Sequence, residues 1–235
     1  MADKCIMAIG GHVGDAELTC GGTLATYALR GYKIVTVGAT GGERGNPPHL
    51  TPAEYREQKL LEAKAFAERL GGEAVVLPYR DGELECSEES KLLICDIIRK
   101  YRPEKLLTHW KNSMHRDHII CSELVRQAQF LAGLKSFERP LPASYASGPF
   151  MAENWEDADG FVPHTYFEVT KEGFELWKEA IDTHWFAVNS RDFRYKEYYC
   201  ALKRVRGLEG RFEYAEAFAL SEYQKRVKIP APKEQ

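Results

Sequence analysis

Several features are missing from this chain, and each absence excludes something. Its six cysteines (Cys5, Cys20, Cys86, Cys95, Cys121, Cys200) are scattered along 235 residues with no C-x-x-C pair. That argues against a disulfide framework or a cysteine-based zinc site, and for reduced thiols in a cytoplasmic protein. No apolar run approaches the about 20 residues of a membrane span, and "MADKCIMAIGG" holds too short an apolar stretch for a signal peptide. Positive charge is not in excess: 32 Lys and Arg against 35 Asp and Glu leave a formal net charge of -3. Neither a nucleic acid nor a membrane is an expected partner. Internal repeats and low-complexity segments are absent too. So are the phosphate-binding signatures. Gly11 and Gly14 have the last spacing of G-x-G-x-x-G, but Ile9 takes the place of the first glycine, and no G-K-[ST] occurs.

What is there reads as one globular α/β domain over residues 1–235. Hydrophobic residues make up 44% and charged residues 29%, an ordinary soluble composition. In residues 1–132 short apolar runs alternate with amphipathic stretches. "CIMAIGG", "KIVTVGAT", "AVVLP" and "KLLTH" read as strands. Helices are expected over 17–30, from Pro52 behind a Thr51 cap to Gly71-Gly72, over "SEESKLLICDIIRKY" behind Ser87 or Ser90, and over 118–131. The alternation predicts a Rossmann-like, mostly parallel sheet with helices on both faces. Residues 133–235 are rich in Pro, Gly and aromatics. They predict a loop with one or two strands, helices at 171–187 and 190–206, a final strand in "RFEYAEAFAL" and a frayed tail "KRVKIPAPKEQ".

The chemistry concentrates at two strand ends. His12 and Asp15 stand three apart in the turn after the first strand, and "WKNSMHRDH" after the fourth brings His115, Asp117 and His118. Imidazole and carboxylate suit zinc, and three protein ligands with one open position form the catalytic arrangement. His12, Asp15 and one of the two late histidines make such a triad, and the other histidine is free for proton transfer. His109 either braces a metal ligand from behind or packs as a strand-end residue. His164 and His184 read as structural. Trp155, Phe161, Tyr166 and Phe167 could stack on a sugar ring or form a cluster under the loop.

On these motifs the chain resembles the PIG-L / LmbE-like family of zinc-dependent N-acetylglucosaminyl deacetylases. "HVGDAELTCGGTLA" aligns without a gap to the family's H-P-D-D-x-E and following helix, and "HRDH" to its H-P-D-H. "GATGGERG", "LPYRDGEL" and "YAEAF" are weaker echoes. The resemblance implies a Rossmann-like fold, one Zn2+ on His12, Asp15 and His118, and His115 supporting the oxyanion and protonating the leaving amine. It implies Asp117 as the carboxylate that orients His115, Asp81 in the sugar pocket and Arg56, with Lys59 one turn on, holding substrate. An amino-sugar-like small molecule is the implied substrate, and a ring-like homo-oligomer is a plausible assembly.

One family residue is missing. The general base is the first Asp of H-P-D-D, and here Gly14 stands there behind Val13. Glu17, Glu43 or Asp117 could substitute. Alternatively, zinc alone could activate water, since coordination brings its pKa to about 7. Or the chain could be a metal- and carbohydrate-binding relative without turnover. Gly14 has a possible positive purpose: a turn with positive φ, and space beside the metal for a bulkier substrate.

Overall fold

The computed structural model describes residues 4–157 and 159–221; the tail from Lys225 lies outside them. The first half follows the expected alternation. β1 (Cys5–His12) leads through α1 (Asp15–Thr19) and α2 (Gly21–Ala28) to β2 (Lys33–Thr40), and a short 3-10 turn precedes α3 (Pro52–Arg69). Then come β3 (Glu73–Tyr79), α4 (Glu88–Tyr101), β4 (Lys105–His109) and α5 (Arg116–Gly133). The second half adds β5 (Ser147–Ala152), β6 (Thr165–Val169), α6 (Lys171–Ile181), α7 (Trp185–Asn189), α8 (Tyr195–Gly210) and β7 (Tyr214–Leu220).

All seven strands form one sheet in the order β3-β2-β1-β4-β5-β7-β6. The pairings from β3 to β5 are parallel, and β7 runs antiparallel to both β5 and β6. Successive β1 side chains feed opposite faces. Ile6 and Ala8 join one core with Leu24, Phe66 and Trp177, and Cys5, Met7 and Ile9 join another with Val35, Ile94 and Leu124. A strand buried on both faces needs an unbroken apolar run, which is what "CIMAI" supplies. From β1 the chain goes first to β2 and β3 on one side, and later to β4 and β5 on the other. The carboxyl ends of β1 and β4 therefore flank the switch point at which such sheets bind ligands.

Two expected helices are broken. The helix expected over 17–30 divides at Cys20 into α1 and α2 because tertiary partners take its backbone groups. Glu17 O accepts from Trp177 Nε1 (2.9 Å) and Leu18 O from Lys203 Nζ (3.1 Å), while Gly22 N and Thr23 N donate to the Glu216 carboxylate (2.9 and 2.8 Å). A Cβ on Gly21 would meet the Trp177 indole at 2.3 Å. The helix expected over 171–187 ends at Ile181, and a new turn starts at Trp185, whose N–H donates to Glu62 Oε1 on α3 (3.2 Å). The last helix runs four residues beyond its expected end, to Gly210. No helix among the described residues is long and apolar enough to cross a membrane.

Candidate active site

β1 ends on His12, and the turn that follows places Asp15 at the first position of α1. The turn closes on Gly14, whose φ of 108° lies in the left-handed region, a conformation that costs glycine little and other residues much. β4 ends on His109, and a short loop reaches His115, the N-cap of α5, which puts His118 in the first turn of that helix. Three donor atoms from these two segments converge. His12 Nδ1 lies 3.0 Å from Asp15 Oδ2 and 3.1 Å from His118 Nε2, and Asp15 Oδ2 lies 3.2 Å from His118 Nε2.

This triangle fits a metal ion. The two ring nitrogens face each other at a distance at which both cannot carry a proton, and the carboxylate oxygen faces both. Two imidazoles and a carboxylate, open to a cleft on one side, match the donor set of catalytic zinc sites. The surroundings orient the donors. His12 N donates to Asp15 Oδ2 (2.7 Å). The other nitrogen of His12, Nε2, lies 3.1 Å from Asp81 Oδ1 and 3.5 Å from Asp117 Oδ2, though neither contact is aligned well enough to be a hydrogen bond. Carboxylates behind a ligating histidine are the usual support of such sites. Burial opposes protonation of His12, but Asp15, Asp117 and Asp81 outweigh it and hold its pKa well above the ordinary value. For Asp15, burial is likewise outweighed, by His118 and His12, and its pKa is held well below the carboxylate range.

Asp117 differs from its expected place. Its carboxylate accepts from Gly82 N (2.6 Å) and faces His12, whereas its backbone N–H donates to His115 Nδ1 (3.2 Å). His115 is thus oriented by the Asp117 backbone, and the carboxylate serves His12. Burial, then the neighbouring His12, push the His115 pKa down. Asp81 lines the cleft, and its Oδ2 accepts from Arg44 N (2.9 Å).

Arg56 does not reach the cleft. Its guanidinium donates to Leu77 O and Tyr79 O (3.0 Å each) and to Glu43 Oε2 (3.2 Å), pinning α3 to the end of β3. Lys59, one turn on, lines the cleft instead. The two glutamates considered as substitute bases are also engaged elsewhere. Glu17 accepts from Gly14 N (2.9 Å), and Glu43 accepts from Asp81 N (3.0 Å) and Arg56. Both brace the turns that carry the site, and neither lines the cleft.

Nor is there open space beside Gly14. A Cβ there would meet the Phe186 ring at 2.6 Å and Lys59 Nζ at 3.3 Å. Phe186 sits on α7, and Lys59 Nζ lies 4.1 Å from its ring centroid. The volume of the missing carboxylate is filled by an aromatic ring and an ammonium group. Positive φ at Gly14 holds; the extra room for substrate does not.

The cleft measures about 950 Å³ and runs from the triangle past Tyr55, Asn154, Glu156, Phe186 and Tyr195. Much of this wall escaped the sequence reading. The Asn154–Asp157 turn contributes Asn154 and Glu156, and Tyr199 donates to Asn154 Oδ1 (2.7 Å). The N-W-E-D run was a signal only in hindsight, because polar residues in a loop are ordinary. His109 is buried under the triangle. It stacks on His118 (centroids 4.0 Å apart, planes 11° apart) and its Nε2 accepts from Gly11 N (2.8 Å). Burial, then His118, push its pKa down to about 4. His184 is buried in the core beside Phe66 and Glu62, and the exposed His164 meets Thr165. Trp155 lines the cleft and stacks on Phe193, Phe161 packs on Trp110, and Phe167 meets Phe150 and Phe218.

Known proteins resemble this chain in sequence and in fold. The 4-oxalmesaconate hydratase of Pseudomonas putida is 27% identical over 179 residues, which span 71% of this chain and 68% of the hydratase. A 1D-myo-inositol 2-acetamido-2-deoxy-alpha-D-glucopyranoside deacetylase of Catenulispora acidiphila is 25% identical over 216 residues, covering 79% of this chain but only 63% of that protein. Among solved structures, the 4-carboxy-2-hydroxymuconate hydratase of Pseudomonas putida superposes with a TM-score of 0.85 at 21% identity, over 97% of this chain and all of the other. The profile of the PIG-L family, described as GlcNAc-PI de-N-acetylase, matches residues 7–129. That span runs from β1 into α5 and carries all three atoms of the donor triangle, and the chain accordingly belongs to the PIG-L family.

Proposed function

We propose that this chain is a zinc-dependent enzyme that brings water to a small carboxylate-bearing substrate, as a hydratase. The observation that carries this reading is the exchange beside the triangle. Where the family's deacetylases are expected to place a carboxylate base, this chain has Gly14, with Phe186 and Lys59 Nζ in the vacated volume. A proton acceptor has been replaced by a cation, which suits an anionic substrate. The similarity to 4-oxalmesaconate hydratase supports the same class.

His12, Asp15 and His118 would hold the zinc. When bound, it would supply Lewis acidity that activates water and polarises a substrate oxygen. Lys59 is 3% exposed, and among the described residues its Nζ forms no hydrogen bond or ion pair, so it can receive a substrate carboxylate. Burial lowers its pKa, and the charges of Glu62, Glu17, Asp15 and Asp81 oppose that. His115 is fixed through Nδ1 by the Asp117 N–H, which leaves Nε2 free to exchange a proton with water or substrate. Asp81 and Asp117 face His12 Nε2 from behind, and Phe186 and Tyr195 line the cleft wall.

Deacylation of an N-acylated amino sugar or its conjugate is the second reading. The deacetylase relative and the retained His115 favour it. One experiment separates the two. Zinc-loaded protein is given 4-oxalmesaconate, with loss of its conjugated ultraviolet absorbance followed, and in parallel an N-acetylglucosaminyl inositol, with acetate release followed. Loss of absorbance that drops at least 100-fold in Lys59→Met is the expected result. Acetate release with no change in the unsaturated acid overturns the hydratase reading in favour of the deacylase.

A further inference from the structure

Ser113 sits in the loop between β4 and α5, and neither the motifs nor the relatives' names give it a role. Its hydroxyl touches two site residues at once. His115 N donates to Ser113 Oγ (3.2 Å), and His118 Nδ1 lies 3.2 Å from the same oxygen. The Ser113 hydroxyl is also within reach of the Asp157 carboxylate. Asp157 is 2% exposed, and neither of its oxygens closes a well-aligned hydrogen bond among the described residues.

A serine hydroxyl offers one hydrogen and two lone pairs. The His115 N–H occupies one lone pair. If the hydroxyl hydrogen turned to His118 Nδ1, the buried Asp157 carboxylate would keep no side-chain donor among the described residues, a state that costs several kcal/mol in general. If the hydrogen turns to Asp157, the second lone pair is left for an Nδ1–H of His118. The second arrangement turns a hydroxyl hydrogen toward the carboxylate and gives Nδ1–H an acceptor, and the first points that hydrogen away from the carboxylate. Two further groups face Nδ1. Asn154 Nδ2, at 3.4 Å, is a donor because its Oδ1 is engaged by Tyr199, and it favours a bare Nδ1, whereas the Glu156 Oε2 acceptor, 3.6 Å away, favours Nδ1–H together with Ser113 Oγ at the shorter 3.2 Å.

We propose that Ser113, backed by Asp157, is a positioning residue that holds His118 in its Nδ1–H tautomer, so that the Nε2 lone pair faces His12 Nδ1 and Asp15 Oδ2 as a metal ligand. The assignment rests on the metal centre put forward above. It gives the N-W-E-D turn a purpose: Glu156 faces the cleft, and Asp157 anchors the ligand from behind. Such outer partners typically contribute 10–100-fold to metal affinity.

The test is a cobalt titration of metal-free protein, read by visible absorption, on the unmodified chain and on Ser113→Ala, Ser113→Thr, Asp157→Asn and Glu156→Gln, with the fold checked by circular dichroism. Ser113→Ala is expected to weaken cobalt binding 10–100-fold, Asp157→Asn to weaken it in the same direction, and Ser113→Thr to restore it to within about threefold. Long-range proton–nitrogen correlation on metal-free protein should show His118 leaving the Nδ1–H form in Ser113→Ala. Were Ser113→Ala to fold poorly, Asp157→Asn alone decides. Cobalt affinity unchanged in both variants overturns the assignment while leaving the metal centre intact, as does a loss seen only in Glu156→Gln. Absence of cobalt binding by the unmodified protein overturns both.

Discussion

At residue scale, Gly14 and Phe186 behave as one unit. Restoring the family's carboxylate by Gly14→Asp puts a Cβ 2.6 Å from the Phe186 ring at a φ of 108°. Backbone strain of this kind costs about 1–3 kcal/mol and overpacking about as much again. Gly14→Asp is expected to lower stability by about 2–4 kcal/mol in urea unfolding, and Gly14→Asp/Phe186→Ala to lose less than the sum of the two single changes. Strict additivity would show that the contact carries no strain. The sequence revealed a glycine where the resemblance implies a carboxylate base, because one residue differs within an ungapped motif. It could not reveal what fills the space, since Phe186 lies 172 positions away from Gly14. Arg56 and Lys59 make the same point at one turn of helix. Both were visible as cations on α3, but only packing against β3 decides which faces the cleft.

At the scale of elements, α3 shows how far local rules reach. Thr51 accepts from Glu54 N (3.3 Å), and Glu54 Oε2 accepts from Thr51 N (2.9 Å), with Pro52 at the first helical position. The Thr51 cap before Pro52 was legible in the sequence, and the return bond from Glu54 came with the structure. Thr51→Ala is expected to cost about 1 kcal/mol, read as a shift of the urea midpoint with unchanged slope. Because α3 also carries Lys59 and Glu62, the looser helix start lies within two turns of the cleft. The opposite case is the break between α1 and α2. The Gly21-Gly22 pair after Cys20 is only a weak local breaker, and α2 runs through both glycines. Trp177, Lys203 and Glu216 arrive from at least 150 positions along the chain and take the carbonyls and N–H groups that would have continued it. Such competition has no signature in a window of neighbouring residues.

For the whole molecule, the sheet sorts the cysteines. Cys5, Cys20, Cys95 and Cys121 are buried, Cys86 is exposed and Cys200 is intermediate. Burial pushes the Cys5 thiol up to about 11 and Cys121 to about 12. A disulfide-exchange reagent at pH 8 is expected to label Cys86 first and to reach the four buried thiols only in denaturant. Prompt labelling of Cys5 or Cys121 in the native protein would mean that the central sheet opens far more readily than this burial implies. The alternation of apolar runs with amphipathic stretches was enough for a sheet covered on both faces, because each strand and helix carries its own period. The spacings H-x-x-D and H-x-D-H were enough for a metal-type cluster, because both fall in turns at strand ends. The wall around that cluster was decided only when α7, the Asn154–Asp157 turn and α8 folded back over the first half. A cleft is made by surfaces distant in the chain, and no periodicity records which residue will face which.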